Sequence, residues 1–188
     1  MNSFEHFACS SSLWRYFCER HLLPWVFAGQ RLGEHVLEIG AGYGAGTRFL
    51  RERMRWVTAL EYDERSAAKI RAHMETNGVE IVCGDGAQLP FGTEQFSLVV
   101  AILVLHHLRS VELQERMLGE VMRVLRPGGA FVGFEIGDSW VNRIGHIGST
   151  FTPFTPEAAF GRLTATGFEK ISVDVRRGAF RFSAGKRG

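Results

Sequence analysis

Between Val36 and Thr47 the chain reads Val-Leu-Glu-Ile-Gly-Ala-Gly-Tyr-Gly-Ala-Gly-Thr, and few folds accommodate such a stretch. Val36, Leu37 and Ile39 form a short apolar run that predicts a buried strand. Glycines then occupy positions 40, 42, 44 and 46, and a helical pattern opens at Thr47. A turn of this kind brings bare backbone against a ligand. Glycine has no Cβ to hold the ligand off or to forbid positive φ, and the helix that follows directs unpaired N–H groups and its positive end at the same place. Those groups favour negative charge or acceptor oxygens. Gly40, Gly42 and Ala45 also satisfy the dinucleotide pattern G-x-G-x-x-G/A. Glu38, two residues before the first glycine, points elsewhere. A nucleotide phosphate would meet its carboxylate unfavourably, whereas a cationic ligand would not.

Glu38, Gly40, Gly42 and Gly44 together spell E/D-x-G-x-G-x-G, and in this the chain resembles the class I S-adenosylmethionine-dependent methyltransferases, small single-domain members of the type 11 kind above all. S-adenosylmethionine carries a sulfonium cation and no phosphate, in keeping with Glu38. Further landmarks follow in order. A second apolar run, Trp56 to Leu60, ends at Glu61, which places an acid at the carboxyl end of the second strand, where open α/β sheets bind ligands. The resemblance implies that Glu61 accepts from the ribose hydroxyls. Gly84-Asp85-Gly86-Ala87-Gln88-Leu89-Pro90-Phe91 looks like the family's G-D-A-x-x-L-P-F segment, which implies that Asp85 accepts from the adenine amine and that the Gly86 backbone reads a ring nitrogen. Tyr62 and Ala101 complete the cofactor contacts implied in this way. Leu105-His106-His107-Leu108 is similar to a run seen in small-molecule methyltransferases, and Leu125-Arg126-Pro127-Gly128-Gly129 is a further landmark. Phe96-Ser97 departs from the family's usual Phe-Asp. No Asn-Pro-Pro-Tyr signature is present, which argues against methylation of DNA-base or protein-glutamine nitrogens.

The implied fold is α/β, a Rossmann-like doubly wound sheet of seven strands in the order 3-2-1-4-5-7-6, with strand 7 antiparallel and helices on both faces. The alternation of strand and helix from 36 to 136 independently predicts a parallel sheet with right-handed crossovers. Phe96 to Leu103, unbroken in its apolar character, reads as the central strand. Helices are expected over Thr47 to Arg53, over Glu64 to Thr76 behind an Asp63 cap and ended by Asn77-Gly78, from a Ser110 cap to Leu125, and from a Thr155-Pro156 start to Gly167. Strand three is expected at Glu80 to Cys83, strand five at Ala130 to Ile136, and a terminal hairpin at Phe168 to Val175 and Ala179 to Ala184. Residues 137 to 154 match no regular pattern and lie where the family places acceptor-binding elements.

With 188 residues the chain suits one core, divided here into an N-terminal helical segment or lid, residues 1–32, and a cofactor-binding domain, residues 33–188. In the first, Ser11 or Ser12 caps a helix that Pro24 should stop. Its aromatic stripe is expected to pack on the core, with Trp14, Tyr16 and Trp25 the alternative lining of an acceptor pocket. A net charge of +2 is too small to argue for nucleic acid. The three cysteines, Cys9, Cys18 and Cys83, have neither disulfide nor metal-ligand spacing, so no metal is expected and a reducing, cytoplasmic setting is. Met1 to Ser12 lacks the pattern of a secretory leader, and the longest apolar run, Leu98 to Leu105, is too short to span a bilayer.

These features predict a methyltransferase that passes the S-adenosylmethionine methyl to a small molecule. Two other readings stay open: a protein that binds the cofactor without consuming it, and a nicotinamide-dinucleotide oxidoreductase on the same sheet. Where the acceptor needs a base, His106 is preferred to His107 on the expectation that only one of the pair faces the pocket, with His146 and Glu135 further candidates.

Overall fold

The computed structural model describes residues 12–30, 33–74 and 78–188. Its centre is a seven-stranded sheet, built of β1 (His35–Ile39), β2 (Trp56–Glu61), β3 (Val79–Cys83), β4 (Phe96–Ile102), β5 (Leu125–Ile136), β6 (Glu169–Arg176) and β7 (Ala179–Gly185). The order is β3-β2-β1-β4-β5-β7-β6, as expected. Pairings from β3 through β5 are parallel, and β7 runs antiparallel to both of its neighbours. Phe96, Leu98, Val99, Val100 and Ala101 of β4 are all buried, the continuous burial of a strand covered on both faces.

The helices divide between the faces. α1 (Ser12–Phe17), a π-helical turn (Cys18–Leu22), α2 (Leu23–Val26) and α3 (Ala45–Arg51) lie on one side, where Leu22, Leu23, Val26, Phe27, Phe49 and Leu50 pack with Val36, Leu98, Val100 and Val132. α4 (Glu64–His73) flanks β2 and β3. α5 (Val111–Val124), the short α6 (Trp140–Gly145) and α7 (Pro156–Thr166) follow. On the second face Met117, Leu118 and Val121 of α5 and Ala159 and Leu163 of α7 join Leu37, Val99, Phe131, Phe180 and Phe182 in one core.

Capping chemistry sets the helix starts. Asp63 accepts from the Ser66 amide at 2.8 Å, Ser110 from Leu113 at 3.3 Å and Thr155 from Ala158 at 3.2 Å, while Gly167 closes α7 at φ +96°. The last hairpin turns through Arg177 and Gly178, both at positive φ, the geometry whose twist matches paired strands.

Four expectations are corrected. Pro24 does not stop the first helical run, which continues to Val26. A proline in a helix removes one amide donor and crowds the carbonyl four residues back, and the chain here widens into a π turn before it, with the Leu23 amide reaching Cys18 O. Strand β5 begins at Leu125, where a helix end was expected, because Leu125 pairs with Phe96 and Arg126 to Gly129 bulge out before Ala130 pairs with Leu98. A bulge is also where Pro127, with no N–H to give, is tolerated. Next, α6 interrupts the 137–154 stretch, capped by Ser139, which accepts from the Asn142 amide at 3.2 Å. The helix expected to reach Thr76 already ends at His73, with Met74 extended, while Ser11 and the Asn77 stop lie outside the described residues, as does the side chain of Trp14.

Candidate cofactor and acceptor site

Glu38 ends up almost wholly buried beneath the glycine turn. Strand β1 carries it there, and α3 then folds back over it. A Cβ on Gly46 would lie 2.0 Å from Glu38 Oε1, so the helix seats over the carboxylate only because residue 46 has no side chain. Thr47, in the same helical turn, donates its hydroxyl to Glu38 Oε2 at 2.5 Å. Burial is the main reason the Glu38 carboxyl is pushed up to about 7. The Thr47 hydrogen bond opposes the rise, and the charge of Glu61 adds to it. Gly40, Gly42 and Gly44 all take positive φ, and a Cβ on Gly40 would also strike Val104 at 2.5 Å.

Glu61 braces the turn from the next strand. Its Oε2 accepts from the Gly42 amide at 2.8 Å and its Oε1 from the Asp63 amide at 3.1 Å. Tyr62 beside it is exposed. Asp85 follows β3, whose last residue, Cys83, is the register partner of Glu61. Its Oδ1 accepts from the Ala87 amide at 2.8 Å, and Gly86 lies against Ile39 of β1, 3.1 Å from where its Cβ would be. The three acids therefore stand at the carboxyl edge of three adjacent strands. Ala101 lies in the sheet interior, paired with Ile39 and Gly133, and has no exposed surface. A separate cavity of about 180 Å³ borders the turn on the α4 side, lined by Gly42, Tyr43, Arg48, Lys69 and Met74 among others. Of the predicted contacts it includes Gly42 alone.

A second cluster sits past the ends of β4 and β5. Leu103 adopts φ +57°, a left-handed conformation that costs a branched residue of order 1–3 kcal/mol. The turn it makes aims two consecutive amides, Val104 and Leu105, at Glu135 Oε1 at 2.9 and 2.7 Å. Glu135 Oε2 meets His106 Nδ1 at 2.5 Å, and both side chains are buried. The Thr152 amide donates to His106 O at 2.8 Å, and Gln114 donates to Leu105 O and Thr152 O, so the 151–154 segment is fastened to the histidine turn. Phe151 then lies 5.7 Å from His106 and 4.7 Å from His146, centroid to centroid.

The expectation that only one of the paired histidines faces this region is corrected. In the short 3-10 turn Leu105–His107 the two rings are 4.1 Å apart and meet His146 together. Such a turn places successive side chains more nearly side by side than a strand does. Trp25 lies elsewhere, edge-on to Phe134 and under Arg176 and Arg181, and Tyr16 is exposed. Of the N-terminal stripe, Cys18 and Leu22 pack into the core while Leu13 and Phe17 are exposed, so the expected packing holds for part of it only.

A glycine turn over a buried acid, at the carboxyl edge of a 3-2-1-4-5-7-6 sheet, defines the class I S-adenosylmethionine-dependent methyltransferases. The chain belongs to that family, and residues 37–133 match the model of the methyltransferase domain. Among relatives, it is 34% identical over 142 residues to a probable S-adenosylmethionine-dependent methyltransferase of Mycolicibacterium smegmatis, covering 75% of this chain and 51% of that protein. It is 30% identical over 148 residues to the phthiotriol/phenolphthiotriol dimycocerosates methyltransferase of Mycobacterium leprae, covering 78% and 50%. The chain thus spans about half the length of these curated relatives. An S-adenosylmethionine-dependent methyltransferase from Mesorhizobium loti superposes with a TM-score of 0.73 over 94% of this chain and 99% of that one, at 18% identity, which speaks to the fold. The cofactor of the family is S-adenosylmethionine. The residues present fit it: a buried carboxylate with one hydroxyl donor has unmet demand for positive charge, and the glycines leave backbone open to a ligand.

Proposed function

We propose that this chain transfers the methyl group of S-adenosylmethionine to a small, partly apolar acceptor. The observation that carries the reading is Glu38, a carboxylate held under the glycine turn where a cation would restore its ordinary acidity. When bound, the cofactor supplies a methyl already activated on a sulfonium. What remains for the protein is to hold the nucleophile in line and keep water away, worth roughly 7 to 11 kcal/mol of a barrier. Glu38 and the turn orient the positive end of the donor, Glu61 accepts from the ribose hydroxyls, and Asp85 with the Gly86 backbone reads the adenine. Tyr62, exposed after Glu61, covers the ring.

The acceptor end lies at the histidine cluster. Transfer to oxygen or nitrogen requires the acceptor to lose a proton, and the histidine cluster, with His106 held by Glu135, lies beside the place proposed for that loss. Exposed Trp140, Ile144 and Ile147 on and after α6 offer apolar surface beside His146. The relative named for phthiotriol dimycocerosates likewise supports an acceptor with apolar parts. The free thiol of Cys83 suits a reducing, cytoplasmic setting.

Calorimetry with S-adenosylmethionine and with a nicotinamide dinucleotide tests the donor, and binding of the dinucleotide instead would reject the reading. Release of S-adenosylhomocysteine with a methylated product, read by mass spectrometry across hydroxylated and carboxylated lipids, tests catalysis. Tight binding with no turnover of any acceptor would leave a silent binding protein.

A further inference from the structure

We propose that His106, His107 and His146 form a binding site for a divalent transition-metal ion, zinc being the best fit, at the acceptor end of the molecule. Among the described residues they are the one group of three whose ligand atoms converge, each offering a ring nitrogen within 4.8 Å of the others. Two come from the turn after β4 and the third from the end of α6, so sheet and loop must both fold for the group to assemble.

What surrounds the rings is the arrangement that metal-ligating histidines use. His106 Nδ1 is bound to Glu135, a fully buried carboxylate whose other oxygen is fixed by the Val104 and Leu105 amides. His146 Nδ1 is bound to the Asn142 carbonyl at 2.6 Å, and the Asn142 side chain is tied to Gly137 O at 2.7 Å. A carboxylate on one imidazole and a backbone carbonyl on another are the kinds of partner that orient metal-ligating histidines. Phe151 walls one side of the rings. Three imidazoles suit zinc, copper, iron or nickel over magnesium or calcium, and three protein ligands leave a fourth position open, as in catalytic zinc sites.

Tetrahedral zinc with bonds of about 2.0–2.1 Å needs nitrogens about 3.3 Å apart, so the widest pair must close by roughly 1.5 Å. His106 is pinned. His107 and His146 are only partly buried, and they supply the movement.

The use of the ion rests on the methyltransferase reading, although its binding does not. An acceptor hydroxyl or carboxyl oxygen in the open position loses its proton to water more readily. Its lone pair then forms the bond to the methyl carbon as the carbon–sulfur bond breaks, and that electron pair stays on sulfur. His106 is then a ligand and does not itself take the proton.

The test uses the full chain after chelator treatment. Titration with zinc by calorimetry should give one site per chain with a Kd below about 1 μM. Cobalt should give the visible absorption of a low-coordinate ion. His146→Ala and His107→Ala should each weaken zinc binding at least about 100-fold and abolish the cobalt bands, and Glu135→Gln should weaken it about 10- to 100-fold. Should Glu135→Gln fail to fold, the two histidine variants decide alone. No stoichiometric binding, or equal affinity in wild type and His146→Ala, overturns the site. Titration of the same samples with S-adenosylmethionine separates the two ideas. Donor binding without metal binding rejects the site and leaves the methyltransferase reading standing, and metal binding without donor binding does the reverse.

Discussion

Replacing Glu38 with Gln keeps the shape and the acceptor for the Thr47 hydroxyl but removes the buried charge. The unfolded carboxyl titrates at 4.5 and the folded one at about 7. A raised acid contributes stability in full below its unfolded pKa, and that contribution is lost as pH rises through the folded value. The interval from 4.5 to 7, at about 1.4 kcal/mol per pH unit, amounts to about 3 kcal/mol. Wild-type stability should therefore fall by about 3 kcal/mol relative to Glu38→Gln between pH 4.5 and 8. The remaining ionisable groups are common to both proteins and cancel in the difference. Urea unfolding of the two proteins at half-unit steps over this range measures it directly. Thr47→Val, which removes the hydrogen bond that restrains the rise, should move the transition to higher pH. Donor binding should go the other way: a cation lowers the Glu38 pKa, so near pH 6 binding should release a proton, visible as a dependence of the binding heat on buffer ionisation, and Glu38→Gln should release none. A stability difference that stays constant across the range would refute the account of Glu38 as a buried acid awaiting positive charge.

Other predictions concern single contacts. Glu61→Ala should weaken S-adenosylmethionine binding about 10- to 100-fold, the loss of charged hydrogen bonds worth about 1.5–3 kcal/mol, with an unchanged far-ultraviolet spectrum; undiminished affinity in calorimetry would remove Glu61 from the site. Gly46→Ala should cost about 1–3 kcal/mol through its collision with Glu38, and Glu38→Ala in the same chain should recover most of that loss. A double-mutant cycle in urea with no coupling would show that helix α3 seats independently of the acid. Thr155→Ala should cost about 1 kcal/mol by opening the first turn of α7, measured as a lower urea midpoint at an unchanged slope.

The half of the candidate site proposed to hold the donor was legible because its constraints are local. Glycines at fixed spacing, an acid two residues before them and acids at two further strand ends are all written within short stretches; the alternation of elements predicts the parallel sheet, and the strand order came from the family resemblance. The sequence did not disclose that Gly46 exists to clear room for Glu38, since that contact forms only when helix packs on strand. The half proposed for the acceptor was less legible. His106, His107, Glu135 and His146 were each visible as candidates, yet nothing in their spacing says that Glu135, 29 residues away, reaches His106. Leu103 in a left-handed turn is likewise invisible to propensity, which assigns leucine to helix or strand. The boundary of β5 was misplaced because Arg-Pro-Gly-Gly reads as a stop, whereas the pairing of Leu125 with Phe96 outweighs the local signal.

The pairing of Glu135 with the turn after β4 divides custody of the reaction. Everything proposed to grip the donor hangs from β1, β2 and β3, and the groups at the other end hang from β4, β5 and the loop beyond. If the proposed division holds, changes to that loop retune which molecule is modified while the groups proposed to hold the reagent stay as they are, so a lineage carrying this scaffold has a way to change acceptor without rebuilding the rest.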